Sequence, residues 1–374
     1  MGDDLPRQHR LRPRQVPRRQ PRTAEVLRPS RPGNALRPSH ERHDPALTIW
    51  QGAYNRGSTP PDAALLEAPF VDWLLARLPR DPRLEVPPGD DAAVLRPPAG
   101  RRTVVTVDLL TEGVDFLLGG DTTPERVGHK ALAVNLSDLA AMGARPEAAV
   151  VAVALPRLSA AAIGAGLYAG LAPLAARFGV TIAGGDTNTW DGPLVISVTA
   201  IGSVPPGAAW RRDGARPGDL LVVTGACGGS LLGRHLDVEP RCREALEIAA
   251  RFPVHAAIDI SDGLSLDLAR LMHASATRGI VDLSRVPIHP DAVRRSRLDA
   301  DGTSPLDHAL SDGEDFELLL ALPPAAALAL VIDPPIGLMP VIFGEVTAGE
   351  GLVARSADGT IEPLQPRGWL HDGT

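Results

Sequence analysis

The chain is almost free of lysine. Of its 38 lysines and arginines over 374 residues, Lys130 is the single lysine, and it follows no glycine-rich loop. A GxxxxGK[ST] segment, in which backbone amides and a lysine cradle phosphates, is therefore absent, as are the HRD and DFG signatures of protein kinases. Aromatic residues make up only 3%, so the core has to be built from Ala, Val, Leu and Ile, which suits helices packed on sheets. Cys227 and Cys242 have neither CxxC spacing nor a nearby histidine pair, which argues against a disulfide framework or a zinc site. No run of about 18 uninterrupted apolar residues occurs and the start lacks the apolar stretch of a secretory signal, so a cytoplasmic protein without a membrane segment is expected.

What is present is negative charge. The net charge is −7, and residues 1–42 carry +7, leaving −14 on the remainder. An acidic domain repels nucleic acid and free phosphates alike, so no nucleic-acid partner is expected and any phosphate chemistry needs metal cations as intermediaries. Residues 1–60, rich in Arg, Pro, Gln and His with almost no periodic apolar positions, read as a disordered extension. The remaining length favours two domains, expected over 63–204 and 208–374 with Pro205-Pro206-Gly207 as the linker.

Apolar residues at helical spacing predict helices over 63–78, 160–178 and 264–273. Thr122 to Glu125 reads as a capping box opening a helix that runs through Met142 and is stopped by Gly143. Strands are expected over 104–107, 148–154, 180–183, 194–202, 220–223 and 256–260. A hairpin pairing 351–355 with 360–364 across Asp358-Gly359 closes the chain. The fold class is α/β (α+β).

Acidic residues recur where predicted strands end or loops begin, beside glycine, in the places where open α/β sheets bind ligands. They are Gly89-Asp90-Asp91, Asp108 after Thr103-Val-Val-Thr-Val, Gly184-Gly185-Asp186-Thr187, Asp259-Ile-Ser-Asp262-Gly263 and Ser311-Asp-Gly-Glu314-Asp315. Asp138 differs in lying within a helix, on the face of Asn135. Any one of these has a structural explanation as a turn former or helix cap. Gathered in a low-dielectric crevice, however, they would repel one another unless cations neutralised them. Oxygen-only ligands of this kind suit magnesium, which takes carboxylates, water and phosphate oxygens.

These segments give the chain its resemblance. His129-Lys-Ala-Leu-Ala-Val-Asn-Leu-Ser-Asp-Leu-Ala-Ala-Met-Gly-Ala144 occurs in order with Gly89-Asp-Asp-Ala-Ala-Val, Gly184-Gly-Asp-Thr, Arg212-Asp-Gly-Ala-Arg-Pro-Gly-Asp219, Ile258-Asp-Ile-Ser-Asp-Gly-Leu264 and Ser311-Asp-Gly-Glu-Asp-Phe-Glu-Leu318. Residues 65–369 thereby resemble the bacterial thiamine-monophosphate kinases of the aminoimidazole-ribonucleotide-synthetase superfamily. The resemblance implies in-line transfer of the ATP γ-phosphoryl group to thiamine monophosphate with several Mg²⁺ ions, by a homodimer whose N-terminal sheets pair. It further implies Asp91, Thr106, Val107, Asp108, Asp138, Asp186, Asp259 and Asp262 as metal ligands, and Gly185, Asp186, Arg212 and Ser261 as ATP contacts. Asp138, Asp262 and Arg212 would carry the catalysis, with Asp115, Glu314 and Trp369 on the substrate side.

Two departures stand out. Val-Glu-Gly-Val-His-Phe in many relatives reads Leu110-Thr-Glu-Gly-Val-Asp115-Phe here, and an ionised aspartate cannot donate the hydrogen bond of a histidine. Val107 stands where Thr or Ser is frequent, so only its carbonyl is available. The rival readings are other ATP-using members of the superfamily, or a non-catalytic protein that binds divalent metal or nucleotide. Selenophosphate synthesis and carbamoyl dehydration would require an N-terminal Cys and Lys pair or a C-terminal cysteine, and neither is found.

Overall fold

The computed structural model describes residues 67–89, 92–299 and 301–370. The expected 1–60 extension, the start of the first expected helix and the candidate ligand Asp91 lie outside the described residues. A two-stranded ribbon of β1 (Leu84–Val86) and β2 (Val94–Leu95) follows the helix Glu67–Leu75. The first large sheet contains β3 (Arg102–Thr111), β4 (Arg145–Pro156), β5 (Thr181–Trp190) and β6 (Val195–Val204), in the order β3-β6-β4-β5. Only β4 and β5 run parallel, joined by the helix Ala160–Phe178 as a βαβ unit, and the other pairs are antiparallel.

The second sheet has the order β13-β12-β9-β11-β7-β10-β8. It is formed by β7 (Leu220–Val223), β8 (Ala256–Asp259), β9 (Arg278–Asp282), β10 (Leu318–Leu322), β11 (Val341–Thr347), β12 (Gly351–Arg355) and β13 (Ile361–Pro363). Its central strands are apolar on both faces because both are covered. Leu318, Leu320 and Leu322 enter one core cluster, while Leu319 and Ala321 enter the other, the alternation a strand imposes. The first cluster also holds Leu136 and Leu139 of the helix Pro124–Ala141 and Ile196 and Val198 of β6. That helix is thus packed against residues of both sheets.

Its ends follow from local chemistry. Pro124 occupies the first turn, where its missing N–H costs nothing, so the cap is Thr123, whose hydroxyl accepts from Arg126 N at 3.4 Å. The expected box from Thr122 to Glu125 is displaced by one residue, and an arginine stands where the reciprocal carboxylate would be. At the other end Gly143 turns left-handed at φ 61°, and Ala144 N reaches Leu139 O at 2.8 Å, closing the turn as a Schellman-type stop.

Elsewhere the strands outrun the sequence reading. β3 continues to Thr111 because β6 pairs with it along all ten residues, so Asp108 lies inside a strand. Gly184, Gly185 and Asp186 likewise lie inside β5, an edge strand paired on one side only, where glycine and exposed acid are tolerated. Arg157–Phe178 is long and apolar enough to cross a membrane by composition, yet Leu167, Leu171 and Leu174 of this stretch are buried in the core.

The helices Pro124–Ala141 and Ala160–Phe178 cross at glycine. A Cβ on Gly128 would collide with the Leu167 carbonyl, and one on Gly170 with the Glu125 carbonyl. Because the obstruction is backbone, the helices would have to separate. Gly128→Ala is therefore expected to lower stability by about 3 kcal/mol in urea unfolding. A change below about 0.5 kcal/mol, the ordinary surface range, would show that this crossing does not set the helix position.

Candidate active site

The helix Pro124–Ala141 is buried at most of its positions, yet Lys130, Asn135, Ser137 and Asp138 are polar. Buried polar groups need partners: Asn135 Nδ2 donates to Ala131 O of its own helix at 2.9 Å, and the other three find theirs on other elements. Ser137 Oγ donates to Asp259 Oδ2 at 2.7 Å, at the end of β8. The Thr106 hydroxyl of β3 donates to Asp138 Oδ2. Lys130 Nζ donates to Glu314 Oε2 at 2.5 Å and to the Asp115 carbonyl at 3.0 Å. Lys130 and Ser137 are two helical turns apart, about 10 Å, so one helix edge fixes both ends of the site.

At the Asp138 end, Asp108 and Asp259 feel the charge of Asp138. Burial, then the charges of Asp138, Asp115 and Glu314, pushes the Asp108 carboxyl up to about 7. Its Oδ2 is buried without a hydrogen-bond partner. Asp259 is raised by burial and by Asp138, and Asp138 by burial, offset by the Thr106 hydroxyl and the Arg212 charge. Thr106, Asp138 and Arg212 line one cavity of about 420 Å³. Arg212 itself is exposed, leaving its guanidinium accessible to an anion.

A second group forms where three loops converge. Glu314 N donates to the Ser261 carbonyl at 2.7 Å, and Trp369 N donates to the Asp262 carbonyl at 2.9 Å. Ser261, Asp262, Glu314 and Trp369 are therefore neighbours. Glu314 adopts φ 55°, a left-handed conformation that costs a side-chain-bearing residue roughly 1–2 kcal/mol. The Asp262 carboxylate pairs with Arg270, which also donates to Asp267 Oδ1 at 2.6 Å. Asp115 turns its carboxylate inward, accepting from Thr111 N at 2.7 Å and closing its own loop.

The remaining expected residues are elsewhere. Ladder register aligns Asp186 with Ala152, Ser197 and Leu109, and laterally paired side chains share a face. Asp186 is thus on the exposed face with Leu109, about 14 Å across the sheet from β3, whereas Asp108 faces the helix. It lines a different cavity of about 770 Å³, with Gly89, Gly184 and Gly185. Val107 also faces outward. Among the described residues no three acidic, histidine or cysteine side chains stand close enough to hold a metal together. Lys130, Ser137 and Arg270 were not among the expected site residues. Only Lys130 left a signal, as the single lysine.

Comparison with known proteins adds to this geometry. Residues 89–204 match the AIR synthase related protein N-terminal domain, and residues 216–356 match its C-terminal domain. A thiamine-monophosphate kinase of Rhodopirellula baltica is 42% identical over 316 residues, covering 83% of this chain and 98% of that protein. The crystal structure of thiamine-monophosphate kinase from Stenotrophomonas maltophilia superposes with a TM-score of 0.67 at 34% identity, covering 78% of this chain and 96% of that one. AaThiL complexed with AMPPCP and TMP does so with a TM-score of 0.64 at 26% identity, covering 84% of this chain and all of that one.

The raised carboxylates set a pH dependence. A carboxyl raised in the folded state holds its proton there after the unfolded chain has lost it, so stability falls as pH rises from about 4 to about 7. His235, pushed down to about 4 by burial, acts the opposite way below about pH 6.5. With Asp108, Asp138 and Asp259 all raised, the carboxylates outweigh it. In EDTA the Tm should fall between about pH 5 and 7.5, and excess Mg²⁺ should flatten the decline. A Tm that is level or rising in EDTA would contradict the arrangement.

Proposed function

The chain belongs to the thiamine-monophosphate kinases of the AIR synthase related family, and we propose that it transfers the ATP γ-phosphoryl group in line onto thiamine monophosphate. A terminal oxygen of the acceptor phosphate forms the new P–O bond as the bond from the γ-phosphorus to the β,γ-bridging oxygen breaks. ADP leaves and thiamine diphosphate forms, with no phosphoenzyme. The observation carrying this reading is the buried Asp259 with the half-buried Asp108 and Asp138, an unpartnered oxygen on Asp108, and a cavity that Asp138 and Arg212 both line.

The donor set fits magnesium: the candidate ligands offer only oxygen, and the buried carboxylates lack enough internal cations to balance them. Asp108, Asp138, Asp259 and Asp262, with Asp91, Asp186, the Thr106 hydroxyl and the Val107 carbonyl, would hold several Mg²⁺ ions, which when bound offset the charge of two anionic substrates. Arg212 would pair with ATP phosphates, and the Gly185, Asp186 and Ser261 segments would lie along the nucleotide. Glu314 would face the aminopyrimidine or thiazolium, and Trp369 would stack on a ring. Asp115 shapes its loop through Thr111, a role different from donating to substrate as a histidine could.

The active form in this reading is a cytoplasmic homodimer with no nucleic-acid or membrane partner. Val105, Val107 and Leu109 form an exposed apolar row on β3, on the same face as Asp186. A second copy covering this face would bury the row and complete the set that one chain leaves divided. The domain limits 63–204 and 208–374 are kept as part of the same proposal, the cleft lying between them.

Purified protein given MgATP and thiamine monophosphate should release thiamine diphosphate and ADP. Binding of both substrates without product would favour a non-catalytic metal or nucleotide module instead. Asp138→Asn should lower kcat by roughly 100-fold with the circular-dichroism spectrum unchanged, and an unaltered rate and magnesium dependence would remove Asp138 from the metal set. Sedimentation at micromolar concentration should give two chain masses, and a monomer at full specific activity would end the dimer proposal.

A further inference from the structure

The reading above leaves unused the one lysine of the chain. Lys130 has no exposed side-chain surface, so it is closed off from solvent. A buried ammonium is tolerated only with a carboxylate and further acceptors. It has both: Glu314 Oε2 at 2.5 Å and the Asp115 carbonyl at 3.0 Å. Every other cationic side chain in this sequence is arginine. A planar fork suits two coplanar acceptors on one group, whereas a compact ammonium can serve two unrelated acceptors in a small space.

The two acceptors lie in segments far apart in sequence. One is the turn Thr111–Asp115, closed by Thr111 N to Asp115 Oδ2 at 2.7 Å and by Asp115 N to Thr111 O at 3.0 Å. The other is Glu314, held in left-handed backbone at φ 55° by its N–H to Ser261 O, with its side chain a quarter exposed. Asp108, Asp115 and Asp262 all add negative charge around Glu314. Without a cation behind it, that carboxylate would be driven from its place.

We infer that Lys130 is a positioning residue for the thiamine side of the site: it holds the Glu314 carboxylate and the 111–115 turn in one geometry without touching substrate. The inference rests on the thiamine-monophosphate reading and adds to it the residue that orders the acceptor site. Lys130→Met should raise the KM for thiamine monophosphate about tenfold and leave that for ATP within about twofold. Made in a Glu314→Gln background, the same substitution should raise the thiamine monophosphate KM clearly less than tenfold, because residues acting as a unit are non-additive and only the hold on the 111–115 turn is left to lose.

Three results would overturn it: an unchanged thiamine monophosphate KM in folded Lys130→Met, an equal rise in both KM values, or a tenfold rise that persists in the Glu314→Gln background. If Lys130→Met is insoluble, Lys130→Gln, which keeps a donor but no charge, is measured in its place and has to show the same split. Absence of turnover by the unsubstituted enzyme would instead remove the function on which the inference depends.

Discussion

The structure depends on the burial of a polar helix. Pro124–Ala141 packs within the core while carrying an ammonium, a carboxylate, an amide and a hydroxyl. Each would cost several kcal/mol if left alone there. The partners of the ammonium, the carboxylate and the hydroxyl are drawn from β3, the end of β8, the turn at Asp115 and the loop at Glu314. Satisfying one helix therefore brings into register segments of the chain that are remote in sequence. Asp108 Oδ2 and Asn135 Oδ1 are among the buried side-chain atoms left without a hydrogen-bond partner, and such an atom commonly marks where something external completes the set.

The same economy governs charge. Carboxylates that repel in a dry setting are tolerated because some are paired and others hold a proton. Asp262 is balanced by Arg270, Glu314 by Lys130, and Asp138 partly by Thr106 and Arg212. Asp108 has no comparable partner, and it and Asp259 are both pushed toward neutrality by burial and by neighbouring carboxylates. A divalent cation entering the site would compete with these internal cations, with Arg270 for Asp262 in particular. Its affinity would then reflect the strength of the pairs it displaces as well as the ligands it gains.

Much of the architecture was legible because it is local. Apolar spacing gives the helix 160–178 and the terminal hairpin, and Gly143 marks a stop that the backbone adopts. What spacing does not carry is the partner of a strand or the face it presents. β3 and β5 reach further than their apolar runs because neighbouring strands extend them. One step of strand parity then sends Asp186 to the face opposite Asp108. The cap moved by one residue because Pro124 dictates where a helix can begin. Lys130 and Glu314 are 184 residues apart, and nothing local in either segment points to the other. The lysine was visible as a compositional rarity, but its meaning is tertiary.

That rarity also makes the molecule selective toward amine chemistry. Acylating reagents require an accessible, unprotonated amine, and the side chain of Lys130 is fully enclosed. In the folded protein the one lysine is withheld from such reagents, while any excursion that parts the helix from the Glu314 loop would expose it. Mass-resolved acylation over time would thus report the opening of this one seam, with no engineered label and no background from surface lysines.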